Sequence, residues 1–515
     1  MRILESTAKV FAGQNQKTEV FIYLAAIGAA ICLAVYPLPT FGAMLGVAGL
    51  ILSAFALRRL NNLDLWQVLM LVALAGFIIL NYGFVNLTFY AGGIPIIVGH
   101  SLVFAALGLA VFKSRGKIFR VLRDPAALCL LAMLPLAILH LMIDVPRYGL
   151  YAIRDASMFL ETIFILLGLF WSTRERDALP LVKWLFFIFI VSMAYGMTFP
   201  WGDAIRTWSP VSGIFLKIPV IGYYWGTAVQ MLGGALLVIC LGAYVVKWRA
   251  WVLFLLAGAQ IFGLAIQQAR AMYIALILSL ILFLIMGELK KFAKLATMVG
   301  IGLVAVMLIT SVAGLRIEGR VGPVSDQFIK EHLLSLLGRR DTPAVGSIYD
   351  REDWYEQTKT RIESHSTAAL LIGEGFGFPL IDFVTPTGVP VRQPHNSNLT
   401  VLLRLGLLGL GFWIAFNVIV LTRFIRALKN KRSMDRFSAN VVLWLFLYYL
   451  ICFIEWSVQP GLEFSAGAIT VYFLVGFALG TMRREGQKQP AEQPWQASVY
   501  LEDHGSEEAV PQLVD

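Results

Sequence analysis

The sequence predicts an all-α polytopic integral membrane protein of about fourteen transmembrane helices with one large loop outside, and three observations carry that prediction. Hydrophobic residues fill 58% of the 515 positions and charged residues only 14%, which is more apolar surface than a soluble core can hide, so a bilayer must act as the solvent. Apolar runs of spanning length recur along nearly the whole chain. Lysine and arginine alternate sharply between one set of loops and the next.

At roughly 20 residues per crossing, spans fall near 20–36, 41–57, 65–85, 93–112, 126–143 and 157–171, then near 181–199, 224–246, 250–267, 271–287, 295–313, 399–422, 439–456 and 465–482. The polar opening MRILESTAKVFAGQNQKTE is too long and too polar for a cleavable signal, so the first span is expected to be retained. These spans divide the chain into N-terminal helices over 1–313, a large loop over 314–398, three C-terminal helices over 399–482 and a tail over 483–515. The tail is rich in Gln, Pro, Glu and Ser, a composition that buries too little to offset the entropy of folding, and is expected to be disordered.

Orientation follows from the loops. One set holds Arg58 and Arg59, the run Lys113–Arg123, Arg174 and Arg176, Lys247 and Arg249, Lys290, Lys291 and Lys294, and the run Arg423–Arg432; the short loops of the other set hold only Arg147, Arg154, Arg206, Lys217 and Arg270. Loops rich in cations stay cytoplasmic, which puts both termini inside and the large loop outside. The net charge of +10 is mostly this topological signal, with membrane lipids as its ordinary partner. No basic domain exists to take a nucleic acid. Cys32, Cys129, Cys240 and Cys452 all lie in apolar spans, where they act as small buried hydrophobes.

The large loop carries the chemistry. From Asp350, expected to cap a helix, Arg351, Trp354, Tyr355, Thr358, Ile362 and His365 recur at helical spacing. One face then bears aromatics and an arginine, which also suits an amphipathic helix resting on a membrane surface. A second short helix is expected near 325–337. The run GEGFGF over 373–378 permits tight turns and close backbone approach, but it does not sit between a strand and a helix, so it is no dinucleotide fingerprint. His395 and Asn396 stand at the threshold of the next span. His100 and His140 lie in or near spans, where buried hydrogen bonding is expected of them. No Asp-x-Asp pair occurs in an outer loop, so no metal and no cofactor is expected.

An arginine and a tryptophan on one helix, a Gly-x-Gly turn ending in an aromatic, and His-Asn leading into a Leu- and Gly-rich span resemble the O-antigen ligase and O-antigen polymerase superfamily over about residues 260–425. QQARAMYIALILSLILFLI is similar to that family's Ser-Arg-Gly opening of a membrane helix, with Arg270 in the arginine position and Ala269 and Ala271 as departures. The resemblance implies an inverting GT-C-like glycosyltransferase of the bacterial inner membrane, with a large periplasmic loop, acting on a glycan carried by undecaprenyl pyrophosphate. Arg270 and Arg351 would hold the diphosphate, a task to which the planar, permanently charged guanidinium is suited. His395, taken at an ordinary pKa of about 6.5, would be the general base. Asn396, Arg392, Arg154, Trp354, Gly375 and Gly377 would line the substrates. The fourteen spans lean toward a polymerase of O-antigen, capsule or exopolysaccharide units. A ligase that moves the glycan to a lipid A core shares the same donor, and a lipid-linked oligosaccharide flippase is the alternative of another class. A chain-length regulator or a flippase would be the protein partner.

Overall fold

The computed structural model describes residues 62–91, 94–215, 217–224, 226–308, 317–320, 322–324, 330, 331, 334, 346–384 and 390–487. The expected spans near 20–36 and 41–57, most of the expected helix near 325–337, and residues 488–515 of the tail lie outside the described residues; the first five tail residues, 483–487, are not disordered as expected but continue the last helix.

The described chain is helical, with three short two-stranded hairpins. Its principal helices are α1 (Leu65–Ile79), α2 (Val98–Ser114), α3 (Pro125–Leu131), α4 (Met133–Tyr148), α5 (Leu150–Leu160), α6 (Ile165–Trp171) and α7 (Ala178–Met197). There follow α8 (Thr227–Val245), α9 (Ala250–Gln267), α10 (Arg270–Ile285) and α11 (Leu289–Met307). The loop contributes α12 (Gly346–Glu363) and α13 (Thr367–Ile372), and α14 (Ser397–Lys429), α15 (Arg436–Val458) and α16 (Ser465–Gln487) complete the bundle. Among the described residues seven helical stretches are long and apolar enough to cross a membrane, and α1, α2 and α10 are shorter apolar helices. Large side chains such as Leu255, Ile285, Ile414 and Val418 are exposed, as they must be where lipid rather than water is the solvent. The protein is a polytopic, all-α membrane protein.

Two helices form the centre. α8 packs against α7, α9 and α15, and α16 packs against α6, α15 and α1. α6 and α16 approach closely because Gly168 and Gly476 oppose backbone: a Cβ on either would collide with the Phe473 or Ile165 carbonyl of the other helix.

Three sequence expectations change. The span near 157–171 is two helices, α5 and α6, joined by a 3₁₀ turn over Glu161–Phe164. Glu161 is buried there against His100 and Ser465. α12 begins at Gly346, so Asp350 lies inside it and does not cap it. α14 is interrupted at Gly406 (φ 64°, ψ −164°), where a seemingly continuous apolar run breaks.

That break ties the loop to the bundle. A helix interruption frees carbonyls that lipid cannot satisfy, and here the loop satisfies them: Glu374 N donates to Leu403 O at 2.9 Å and Gly375 N donates to Arg404 O at 3.2 Å. α13 runs alongside α14 at this point, and a Cβ on Gly406 would strike Leu371.

Candidate active site

Four segments distant in sequence converge where α9 turns into α10 and where α14 begins. Gln268 takes a left-handed conformation (φ 50°) and closes α9, and Arg270 is the first residue of α10. The 317–324 hairpin is clipped onto this turn by paired amide bonds: Gln268 Nε2 donates to Gly322 O at 2.8 Å, and Gly322 N donates to Gln268 Oε1 at 3.2 Å. Arg320 N also donates to Ile266 O at 3.2 Å. The charges of Arg320 and Arg351 both bear on Arg270, and Glu455 of α15 lies within the fields of Arg320 and Arg351. The α12 helix therefore brings Arg351 to the same place as Arg270, and the hairpin adds Arg320, a third cation that the sequence reading passed over. Glu455, passed over as well, is the acidic residue on which Arg320 and Arg351 both act.

Three residues after Arg351, Trp354 is 7% exposed and stacks on His395, with ring centroids 4.4 Å apart and planes 20° apart. Phe383 also meets Trp354, edge to face at 5.3 Å. His395 has φ 49°, an uncommon conformation for a residue with a Cβ, and it is held by the helix start that follows. Asn396 Oδ1 accepts from Asn398 N at 3.0 Å and Leu399 N at 3.3 Å, capping α14. The Asn396 carbonyl amide oxygen thus serves the helix, which fixes the backbone that carries His395. Ser397 and Thr400 donate to Glu463 at 2.5 and 2.6 Å, locking the same turn to the α15–α16 connection.

The His395 imidazole does not keep its ordinary pKa. Burial pushes it down to about 4, and the Arg351 charge adds to the shift. The ring is therefore neutral at physiological pH, in contrast to the half-protonated state expected from an ordinary value. His395 Nδ1 and Trp354 Nε1 lack hydrogen-bond partners among the described residues. Buried polar atoms without partners are costly, and two of them beside an arginine group mark a place where a polar ligand belongs.

The glycine-rich run supports this site from behind. Gly373, Gly375 and Gly377 all have positive φ, and all three are buried. Phe376 N donates to Asp144 Oδ2 at 2.7 Å and Gly377 N donates to Asp155 Oδ2 at 3.1 Å. A Cβ on Gly375 would strike Asp144, and one on Gly377 would strike Tyr148. Gly375 and Gly377, expected against substrate, thus face the bundle, with their amides engaged by protein. Arg404, 1% exposed, completes the clamp: Nη1 donates to Gly375 O at 2.9 Å, and Nη2 donates to Asp155 at 2.9 Å and to Phe378 O at 2.8 Å. Arg392 shares Asp155 at 3.0 Å and lies over the Tyr151 ring. Arg154 is directed elsewhere, over Phe215 at 5.4 Å.

His140 and His365 serve structure. His140 Nε2 donates to Ile372 O at 2.8 Å, and His365 pairs with Glu374, which Arg361 also holds at 2.7 Å. One group of three carboxylates among the described residues has its oxygens within 4.8 Å: Glu175, Asp435 and Glu485. Asp435 caps α15, whose 23 residues place it roughly 35 Å from the Gln459 end that meets Ser397, too far to serve the arginine group.

No family model matches the chain, and no curated protein matches it.

Proposed function

We propose that the protein is an inverting glycosyltransferase that moves a glycan from undecaprenyl pyrophosphate to an acceptor sugar at the periplasmic face of the inner membrane, joining repeat units of a surface polysaccharide. The observation that carries this reading is the meeting of Arg270, Arg320 and Arg351 with a neutral, partly buried His395 at the end of an apolar bundle. A polyprenyl tail needs lipid, its diphosphate needs fixed cations at headgroup depth, and its transfer needs a base. The same arrangement would suit a ligase that delivers the glycan to a lipid A core, since only the acceptor differs.

In the reaction, the acceptor hydroxyl oxygen attacks the anomeric carbon as the bond from that carbon to the diphosphate oxygen breaks. The hydroxyl proton passes to His395, and the diphosphate leaves on its lipid, its charge held by the arginines. Direct displacement inverts the anomeric centre. A His395 pKa of about 4 ensures that the ring is unprotonated before the donor arrives. The donor's diphosphate then offsets the Arg351 charge, which raises the basicity of the ring when the proton must move.

The test measures undecaprenyl pyrophosphate binding and initial transfer rates side by side. Arg270→Ala and Arg351→Ala should weaken donor binding by about 2–4 kcal/mol, with lysine a partial substitute. His395→Ala should leave binding intact while turnover falls by roughly 10²–10⁴. A folded His395→Ala protein that transfers at the wild-type rate removes the base from this mechanism.

A further inference from the structure

A cavity of about 310 Å³ borders the α15–α16 connection, and its walls include Tyr82, His100, Arg154, Glu161, Phe215 and Glu463. It is chemically unlike the arginine group. Glu161 is 1% exposed, with Oε1 beside His100 Nε2 at 2.9 Å and bonded by Ser465, whereas Oε2 has no hydrogen-bond partner among the described residues. A buried carboxylate with an unpartnered oxygen, on a side chain in a cavity wall, calls for a donor from whatever occupies the cavity. The apolar part of the wall is aliphatic, with Ile97, Leu150 and Ile153, and aromatic: Tyr82 and Phe464 meet edge to face at 4.7 Å, and Phe215 sits beneath Arg154.

Two carboxylates against one arginine make the cavity unfavourable for a diphosphate. A hydrocarbon tail would leave Glu161 Oε2 unsatisfied. A sugar ring fits both demands, because its hydroxyls donate to carboxylates while its C–H faces lie on aromatics. At about 310 Å³ the cavity is at the small end of the ~300–1,000 Å³ range of ligand sites, which suits a terminal sugar. Glu463, in its wall, is the residue that Ser397 and Thr400 grip, so the cavity is coupled directly to the turn that carries His395.

We propose that this cavity is the acceptor subsite, in which Glu161 and Glu463 receive hydroxyls of the accepting sugar; the assignment rests on the transferase reading above. The arginine group and the cavity then divide the two substrates by charge, and Glu463 links the cavity to the turn that carries His395.

The experiment uses the full-length protein in lipid nanodiscs and two probes: undecaprenyl pyrophosphate, and glycans released by mild acid from the lipid-linked pool of cells deleted for this chain. Glu161→Gln keeps the shape and removes the charge, and Ser157→Trp fills the cavity from its wall. Both should weaken glycan retention by about tenfold or more, the loss expected for one charged hydrogen bond. Undecaprenyl pyrophosphate binding should stay within about twofold of wild type, which also shows that the variants are folded. Glycan retention equal to wild type in both variants overturns the cavity assignment alone. So does recovery of phosphatidylethanolamine, in place of glycan, as the ligand that Glu161→Gln releases. Undiminished undecaprenyl pyrophosphate binding by Arg270→Ala and Arg351→Ala overturns the transferase reading, and the acceptor role with it.

Discussion

His395 concentrates the residue-scale argument, because its conformation, its stacking on Trp354 and its lowered pKa are three consequences of one placement. The backbone enters α14 through a left-handed residue, which turns the imidazole against Trp354 and away from water. Burial then disfavours the imidazolium, and the nearby Arg351 disfavours it further. A base is active only while unprotonated, so activity is lost as pH falls through its pKa. The acid limb of kcat/KM, which reports the free enzyme, should therefore lie near pH 4, the value to which burial pushes His395. The acid limb of kcat should lie higher, because bound diphosphate offsets Arg351. Superimposable limbs at pH 6.5 would mean that His395 is neither buried nor coupled to Arg351. Trp354→Ala removes the stacked wall and should move the free-enzyme limb upward toward the ordinary histidine value.

At the scale of elements, the kinked α14 and the glycine-rich run form one unit. Gly406 breaks the helix, the loop's amides take the freed carbonyls, and Arg404 reaches back to clasp the loop with Asp155. Arg404→Ala leaves Asp155 with Arg392 and Gly377 N and takes the donor from the Gly375 and Phe378 carbonyls, so it should lower stability by about 2–4 kcal/mol, measured as a drop in Tm in detergent. Gly375→Ala combines a positive φ with a collision against Asp144 and should destabilise the same unit. Glu374 adds a pH dependence. Burial raises its pKa, but the bonds from Arg361 and His365 outweigh this and hold it below the usual carboxylate value. With the folded-state pKa lowered, its contribution is complete above the unfolded value of about 4.3 and is lost as pH falls through the folded one. Amide exchange of residues 373–378 should accelerate over that acidic window in the wild type, and Glu374→Gln should flatten the dependence.

For the whole molecule, the prediction concerns sidedness and metal. Single cysteines at Glu356 on α12 and at Arg432 beyond α14, both exposed, introduced into a chain stripped of its native cysteines, should label from opposite sides of intact cells with an impermeant maleimide. Labelling from the same side would refute the orientation drawn from the loop charges. Transfer by the purified protein should survive EDTA, since three arginines supply the charge that a divalent ion would otherwise bring. Turnover lost on chelation and restored by magnesium would place a metal in the mechanism.

Composition and pattern were enough to set the solvent and the helices. Apolar content dictates lipid, and every expected span among the described residues contains a helix, because a chain in hydrocarbon must satisfy its backbone internally. Arg270 and Arg351 were legible as cations, and His395 as an imidazole at a span end. Their neighbours were not. Arg404, Asp144 and Asp155 read as stray polar residues within apolar stretches, and Arg320 as one of several loop cations. Their partners lie far along the chain: Asp155 to Arg404 is a separation of 249 residues. Nor could spacing disclose that the GEGFGF amides serve carboxylates of the bundle, or that a histidine at a polar threshold is buried enough to lose most of its basicity. Local pattern encodes helix and burial, which depend on neighbours a few residues away. Pairing and pKa depend on what packs against a group in space, and only the tertiary structure decided that.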